Sequence, residues 1–411
     1  MVTRTLGQPP FSRAQLGGPL HLRNRLGLLA ISGLALFTVS ASLPPAPADG
    51  SRTHRPSGGG LSAVIRYTEY GIPHVVAKDY ANLGFGNGWA QAADQVCTLA
   101  DGSVTLRGER SRYFGPQGAP GGSLSSATKN LSSDLYFRSI AAPRSMRTRG
   151  AIEDVSAMAA RGRLTVADLQ EQQFANRAPA GDLSAADLAR ACAALPGGGA
   201  LGTDGKAVDV SAACDVLRRW DRKLDTGSRG ALLFDRFWRR AATVSPAELW
   251  KVPFSLADPV GTPNTLNTSA PGVTRALADA VAELRAAGIA LDAPLGRHQT
   301  VVRNGKRIPL GGGTESLGVW NKTEPVWDAA AGGYADVSAG SSYIQAVGWN
   351  GTGCPVARTL LTYSQSSNPR SPHYSDQTEL YSGERWVTSR FREKDILRSP
   401  VLRVVRASER R

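Results

Sequence analysis

The stretch from Tyr67 to Pro116 constrains the fold more than any other part of this chain. An alternating apolar run from Ala63 to Tyr67 leads into a Tyr-Gly turn at the start of this stretch. A second apolar run, from Ile72 to Ala77, completes a predicted β-hairpin. From Asn82 to Leu106 the apolar residues recur at helical spacing. Three early glycines weaken this helix locally, and glycines in a helix usually permit close packing. We therefore expect a hairpin followed directly by a helix that packs closely.

The rest of the sequence predicts a helical middle followed by a strand-rich end. Thr165, with an acidic residue three positions later, is typical of a capped helix start. Amphipathic spacing predicts further helices at Leu183 to Leu195, Val210 to Trp220 and Val273 to Ala287. Alternating patterns and an Asn-Gly turn predict strands at Thr300 to Arg303, Arg307 to Pro309, Tyr343 to Trp349 and Arg358 to Tyr363. Helices and strands in separate stretches predict the α+β class.

The composition is typical of a globular protein, and basic residues outnumber acidic ones. Of its 411 residues, 41% are apolar, which is enough for one or two cores. The net charge is +14, but no basic run is interleaved with aromatic residues as a nucleic-acid groove requires. We therefore interpret the charge as an Arg-rich composition and expect no nucleic-acid partner.

The N-terminus has the three parts of a secretory signal. Arg23 and Arg25 precede an apolar run from Leu26 to Val39, and small residues follow as far as Ala48. The run is short for a membrane span, so we expect cleavage, no stable membrane insertion and a secreted or extracytoplasmic location. The Pro-, Gly- and Ser-rich stretch from Ser42 to Gly60 is expected to be a disordered leader.

Two blocks of the sequence carry recognisable motifs. The first consists of Gly71-Ile72-Pro73-His74 and the run from Gly84 to Asp94. The second is the segment GSSYIQAVGW, continuing through the SQSSNPRSPHYSDQTELYSGERW run. They resemble, respectively, the start of the α-subunit and the end of the β-subunit of penicillin acylase-type enzymes, the penicillin amidase family of N-terminal-nucleophile (Ntn) hydrolases. Within that family, the sequence is similar to those of the aculeacin and acyl-homoserine-lactone acylases. The resemblance implies an amide C–N bond hydrolase acting on acyl amides, antibiotic or acyl-homoserine-lactone in type, with the αββα sandwich of that family.

The two blocks meet between Ile140 and Arg144, where the resemblance passes from the α-subunit to a segment deep in the β-subunit. An internal piece is therefore expected to be missing, and the fold to be an incomplete αββα sandwich with an added helical lobe. The expected organisation is a signal peptide and start of the leader at 1–48, leader at 49–62, an α-subunit-like segment at 63–140, a helical lobe at 144–250, a β-subunit-like end at 251–396 and a tail at 397–411.

The resemblance also implies a specific chemistry. In this family a serine at a newly exposed N-terminus attacks the amide carbonyl, and its own α-amine accepts the proton. Five Gly-Ser steps occur in the sequence, and none is followed by the asparagine of the family's signature. Of these, Ser341 precedes a strand, as the nucleophile should, but cleavage there would leave a fragment too small to build the site. The histidine and the oxyanion asparagine of the family also fall in the missing piece, so none of the family's three catalytic residues is carried over to this sequence. Ser341 is kept only as a candidate nucleophile by its position before a strand.

Three aromatic residues and one histidine are further candidates. Phe85, Trp89 and Phe137 either line an apolar acyl pocket or are ordinary core residues. His74 is either a general base or a hydrogen-bonded structural residue, and a lone histidine after a strand-end proline favours the second interpretation.

The expected oxidising location permits disulfides among the four cysteines. Cys192 and Cys214 flank a Gly-rich connection between two helical patterns, which predicts a local disulfide. Cys97 and Cys354 either pair with each other, have lost partners in the missing piece, or stay free. The histidines are dispersed and no C-x-x-C occurs, so we expect no metal and no cofactor.

Four functional hypotheses follow from the sequence. The first is a secreted acylase-family protein that lacks the catalytic serine segment. The second is an active hydrolase that uses an unrecognised serine. The third is a secreted, non-catalytic protein that binds an acyl ligand. The fourth is an unstable product of an internal deletion, because loss of the first β-subunit strands would leave sheet edges and apolar faces uncovered.

Overall fold

A computed structural model describes residues 60–95, 143–351 and 353–409. The predicted signal peptide, most of the leader, Cys97 and Phe137 lie outside these ranges. The helices are α1 (80–95), α2 (Met146–Ala160), α3 (Val166–Gln173), α4 (Pro179–Ala193), α5 (Ser211–Arg219), α6 (Ala231–Ala241), α7 (Pro246–Leu249), α8 (Pro271–Ala286), α9 (Asp376–Ser382) and α10 (Glu393–Leu397).

The strands are short and pair in small sheets. They are β1 (Ser62–Tyr67), β2 (Pro73–Val76), β3 (Gly199–Leu201), β4 (Ala207–Asp209), β5 (Trp250–Val252), β6 (Asn264–Leu266), β7 (Thr300–Arg303), β8 (Lys306–Pro309), β9 (Thr323–Glu324), β10 (Trp327–Asp328), β11 (Gly333–Tyr334), β12 (Ala339–Gly340), β13 (Tyr343–Trp349), β14 (Pro355–Leu361), β15 (Val387–Ser389) and β16 (Arg403–Ser408). All pairings between these strands are antiparallel. The mixture of helices and antiparallel sheets confirms the α+β class.

The N-terminal hairpin, α1 and the last strand form one small layer. β1 pairs with β2 on one edge and with β16 on the other, so residues that the sequence assigns to a tail belong to a sheet. Ile65, Tyr67, Ala90 and Ala407 form its core. A Cβ at Gly86 would lie 2.5 Å from the Ala63 Cβ, whereas Gly84 and Gly88 face open space. Close packing therefore explains one of the three helix glycines.

The largest core lies among the helices of the middle segment. α6 is buried along most of its length, and Phe234 and Phe237 on it are fully enclosed. It packs against α8, whose Leu277 and Leu284 are also fully buried. The start of α3 has the predicted cap: the Thr165 hydroxyl accepts from the Asp168 N–H, and the Asp168 carboxylate accepts from the Thr165 N–H.

The predicted disulfide is present in this lobe. It joins Cys192 near the end of α4 to Cys214 on α5, across a sequence separation of 22 residues. Cys354 is a free cysteine in the described part of the chain.

The C-terminal segment carries the strands that the sequence predicts. β7 and β8 form a hairpin around Asn304 and Gly305, both with positive φ, as a tight Asn-Gly turn requires. A second sheet has the order β13-β14-β15, and α3 packs on one of its faces. In the described ranges, no helix is long and apolar enough to cross a membrane.

Candidate functional site

Ser341 lies between β12 and β13, and the backbone holds it on both sides. Its N–H donates to the Lys322 carbonyl at 2.9 Å, and its own carbonyl accepts from the Thr362 hydroxyl at 2.7 Å. An N-terminal nucleophile needs a free α-amine as its base. Cleavage before Ser341 would convert this hydrogen-bonded amide into that amine.

The glycine before Ser341 has a packing role. Gly340 has φ +153°, and a Cβ at this position would lie 2.5 Å from the Lys322 carbonyl oxygen. β12 pairs with β9 at this point, with Gly340 opposite Thr323. The Gly-Ser step is therefore explained by the close approach of two backbones.

The cavity beside Ser341 is small. It measures about 30 Å³, and one buried water needs roughly 10–15 Å³ of such space. Its lining contains no histidine and no carboxylate. Lys322 is the amine that lines it, and a hydrogen bond to Glu324 at 2.9 Å raises its pKa. A lysine held protonated in this way is a poor general base, and the cavity has no room for an acyl chain.

A buried hydrogen-bond network closes one wall of this cavity. The Tyr381 hydroxyl donates to Oδ1 of Asn321 at 2.6 Å, and the Asn321 amide donates to Oδ1 of Asn176 at 3.2 Å. Burial raises the pKa of Tyr381 to about 12, so the phenol keeps its proton. The network joins α9 to the loop before α4, and its members are paired with one another, which is typical of a structural network.

Two of the described histidines, His74 and His373, each lie within hydrogen-bond distance of a polar side chain. His74 Nε2 lies 3.0 Å from the Thr68 hydroxyl, and burial lowers the pKa of His74. His373 Nδ1 lies 2.7 Å from Oδ2 of Asp376, and the ring packs on the backbone at Gly71. The sequence did not single out His373, which connects the hairpin turn to the C-terminal segment.

The predicted acyl-pocket residues have different environments. Phe85 on α1 packs against the small core beneath the hairpin. Trp89, one helical turn further on, is 37% exposed. Phe137 lies outside the described residues.

A wider groove, not predicted from the sequence, lies along α2. Its volume is about 560 Å³, and its apolar wall is formed by Ala151, Ile152, Val155 and Trp320. Volumes of roughly 300–1,000 Å³ with mainly apolar linings are typical of small-molecule sites. The spacing of Ile152 and Val155 on one helix face was the available sequence signal.

Two side-chain contacts fix the walls of this groove. Trp320 Nε1 donates to Oδ2 of Asp154 at 3.0 Å. Arg147 donates to the carbonyls of Val319 and Trp320, both at 3.0 Å. The loop around Trp320 is therefore held against α2. Arg147 and Glu315 add charge at the rim of the groove.

The described ranges offer little for a metal ion. Within them, no group of three or more His, Cys, Asp or Glu side chains is positioned to hold one.

The two sequence blocks agree with a family match. The penicillin amidase family model matches residues 62–155 and 140–398. The chain therefore belongs to the penicillin amidase family. The match falls into two stretches that overlap at residues 140–155.

Individual relatives are acylases. The chain is 37% identical over 277 residues to aculeacin-A acylase of Actinoplanes utahensis. The aligned residues cover 65% of this chain and 34% of that protein. It is 34% identical over 272 residues to the acyl-homoserine lactone acylase PvdQ of Pseudomonas syringae pv. syringae (strain B728a), covering 65% of this chain and 33% of that protein. The matched region thus spans about a third of the length of these curated relatives.

Proposed function

We propose that this protein is an exported member of the acyl-amide hydrolase class that lacks the segment with the serine nucleophile and does not turn over acyl amides. Family membership supports the class, and the names of the relatives support antibiotic-type or acyl-homoserine-lactone-type amides as its ligands. The proposed fold is an incomplete αββα sandwich with the helices of 144–250 as an added lobe. The N-terminal sequence pattern supports export.

One observation carries the loss of activity. Ser341 is the candidate nucleophile, and the cavity beside it measures about 30 Å³, which is too small for an acyl chain. Catalysis would require cleavage before Ser341, which frees the α-amine as the base, and room for the substrate beside the serine.

The test combines intact mass with an activity assay. We expect the purified, secreted protein to be one polypeptide, and we expect no release of amine from a fatty-acyl amide or an acyl-homoserine lactone. Ser341→Ala should then be indistinguishable from the wild type. Two fragments together with hydrolysis that disappears in Ser341→Ala and persists in Ser342→Ala would contradict the proposal, since Ser342 is an exposed neighbour.

The α2 groove favours a second function, binding of an acyl ligand without chemistry. Its volume and its apolar wall fit a medium-length acyl chain, with Arg147 and Glu315 at the rim for the polar end. Calorimetry with a medium-chain acyl amide should give a heat signal that Val155→Asp removes. Ala157→Asp, an exposed position on the same helix and not among the groove residues, is the control. Equal binding by wild type and Val155→Asp would overturn this function.

A further inference from the structure

The outer edge of β13 lacks the features that usually protect the edge of a sheet. Among the described strands, β14 alone pairs with β13, so the other edge of this seven-residue strand has no described partner. Exposed edges present unpaired N–H and C=O groups, and proteins usually protect them with charges, proline or bulges. The strand reads Tyr-Ile-Gln-Ala-Val-Gly-Trp and contains neither a charge nor a proline.

The strand also exposes large aromatic side chains at both ends. Ile344 and Ala346 are buried on the face that α3 covers. Tyr343 and Trp349 lie on the opposite face, and they are 55% and 71% exposed. Side chains two, four and six residues apart on a strand share one face. The two aromatic residues therefore mark the two ends of one exposed stripe.

This pattern is self-complementary. If two copies of β13 pair antiparallel about Ala346, Tyr343 of one copy lies opposite Trp349 of the other, and the reverse pair forms at the far end. Gln345 then lies opposite Val347, and all seven residues are paired. A two-fold axis perpendicular to the sheet keeps both aromatic stripes on the same face and α3 of both copies on the other.

We propose that β13 is a homodimerisation edge, through which two copies join their three-stranded sheets into one six-stranded antiparallel sheet. The occupant is a second copy because the register that pairs the whole strand also pairs the exposed aromatic residues twice. Directly opposed aromatic residues stabilise antiparallel pairs, and closed two-fold pairing covers the open β13 edge of each copy. This inference does not depend on the proposed function.

Sedimentation of charge variants tests whether the β13 edge holds two copies together. The wild type should double in mass as its concentration rises. Gln345→Lys combined with Val347→Lys places introduced lysines opposite each other and should leave a monomer. Gln345→Lys combined with Val347→Glu places lysine opposite glutamate and should retain the dimer. Circular dichroism checks that both variants fold. A wild type that stays monomeric up to high micromolar concentration, or a dimer that the double lysine variant leaves intact, would overturn the proposal.

Cross-linking tests the register. Tyr343→Cys and Trp349→Cys are prepared separately in a background that carries Cys97→Ser and Cys354→Ser. A short bismaleimide should yield a covalent dimer from a mixture of the two variants and little from either alone. Equal cross-linking in the unmixed samples would show that the copies do not pair about Ala346.

Discussion

The phenol of Tyr334 donates a 2.7 Å hydrogen bond to Oδ2 of Asp235. Asp235 lies on the buried helix α6 and is 5% exposed, and Tyr334 lies on β11 of the strand-rich segment. The same carboxylate accepts from Nε of Arg239 at 3.0 Å. Burial and the neighbouring carboxylate raise the pKa of Tyr334 well above its usual value, so the phenol remains a donor. The pair joins the helical lobe to the strands that follow it.

Tyr334→Phe should therefore destabilise the protein. The substitution removes a hydrogen bond to a charged, buried group, which typically contributes about 1.5–3 kcal/mol to the free energy of unfolding. Denaturant unfolding measures the difference. Tyr80→Phe is the control, because Tyr80 is 92% exposed, and an equal effect of the two substitutions would contradict this role for Tyr334.

Gly86→Ala should destabilise the packing of α1 on the hairpin. The added methyl would lie 2.5 Å from the Ala63 Cβ and 2.6 Å from a Val75 methyl, and overpacking of this kind costs about 1–3 kcal/mol. At Gly84 and Gly88 the same change meets open space, and it should stabilise the helix by about 0.5–1 kcal/mol each. Thermal unfolding of the three single variants checks these opposite signs. A stabilising effect at Gly86 would show that α1 does not pack on the hairpin.

Removal of the disulfide should lower stability by about 3 kcal/mol, because it closes a loop of 22 residues in the unfolded chain. The paired substitution Cys192→Ala with Cys214→Ala tests this in denaturant unfolding. Cys354→Ser is the control, since Cys354 is free. Wild-type stability of the paired variant in non-reducing buffer would contradict a stabilising role.

The Glu69–Arg390 pair should make stability depend on pH in the acid range. Hydrogen bonds from Arg390 lower the pKa of Glu69 from 4.5 to about 2. Because the folded pKa is depressed, the contribution is present above pH 4.5 and is lost as the pH falls toward about 2. A partly exposed pair contributes about 1 kcal/mol or less. Glu69→Gln should be less stable than the wild type at neutral pH, with the difference narrowing over that window. A difference that stays constant with pH would contradict the assignment.

Local features could be predicted from the sequence because their causes are local. Turn chemistry at Asn304-Gly305, the cap at Thr165 and the helical spacing of 273–287 depend on residues a few positions apart. The family resemblance is likewise a property of short motifs in order. The boundaries of β14 moved by a few residues, since alternation does not mark where pairing stops.

The sequence by itself determined the α+β class, the family and the Cys192–Cys214 disulfide. Only the tertiary structure decided which helix glycine is needed, that 403–408 pair with β1, and that Ser341 lies in a closed backbone junction. Each of these depends on a contact between segments far apart in the chain, such as Gly86 against Val75 of the hairpin. Such contacts arise from packing and strand pairing, and a residue's own neighbours in sequence carry no record of them.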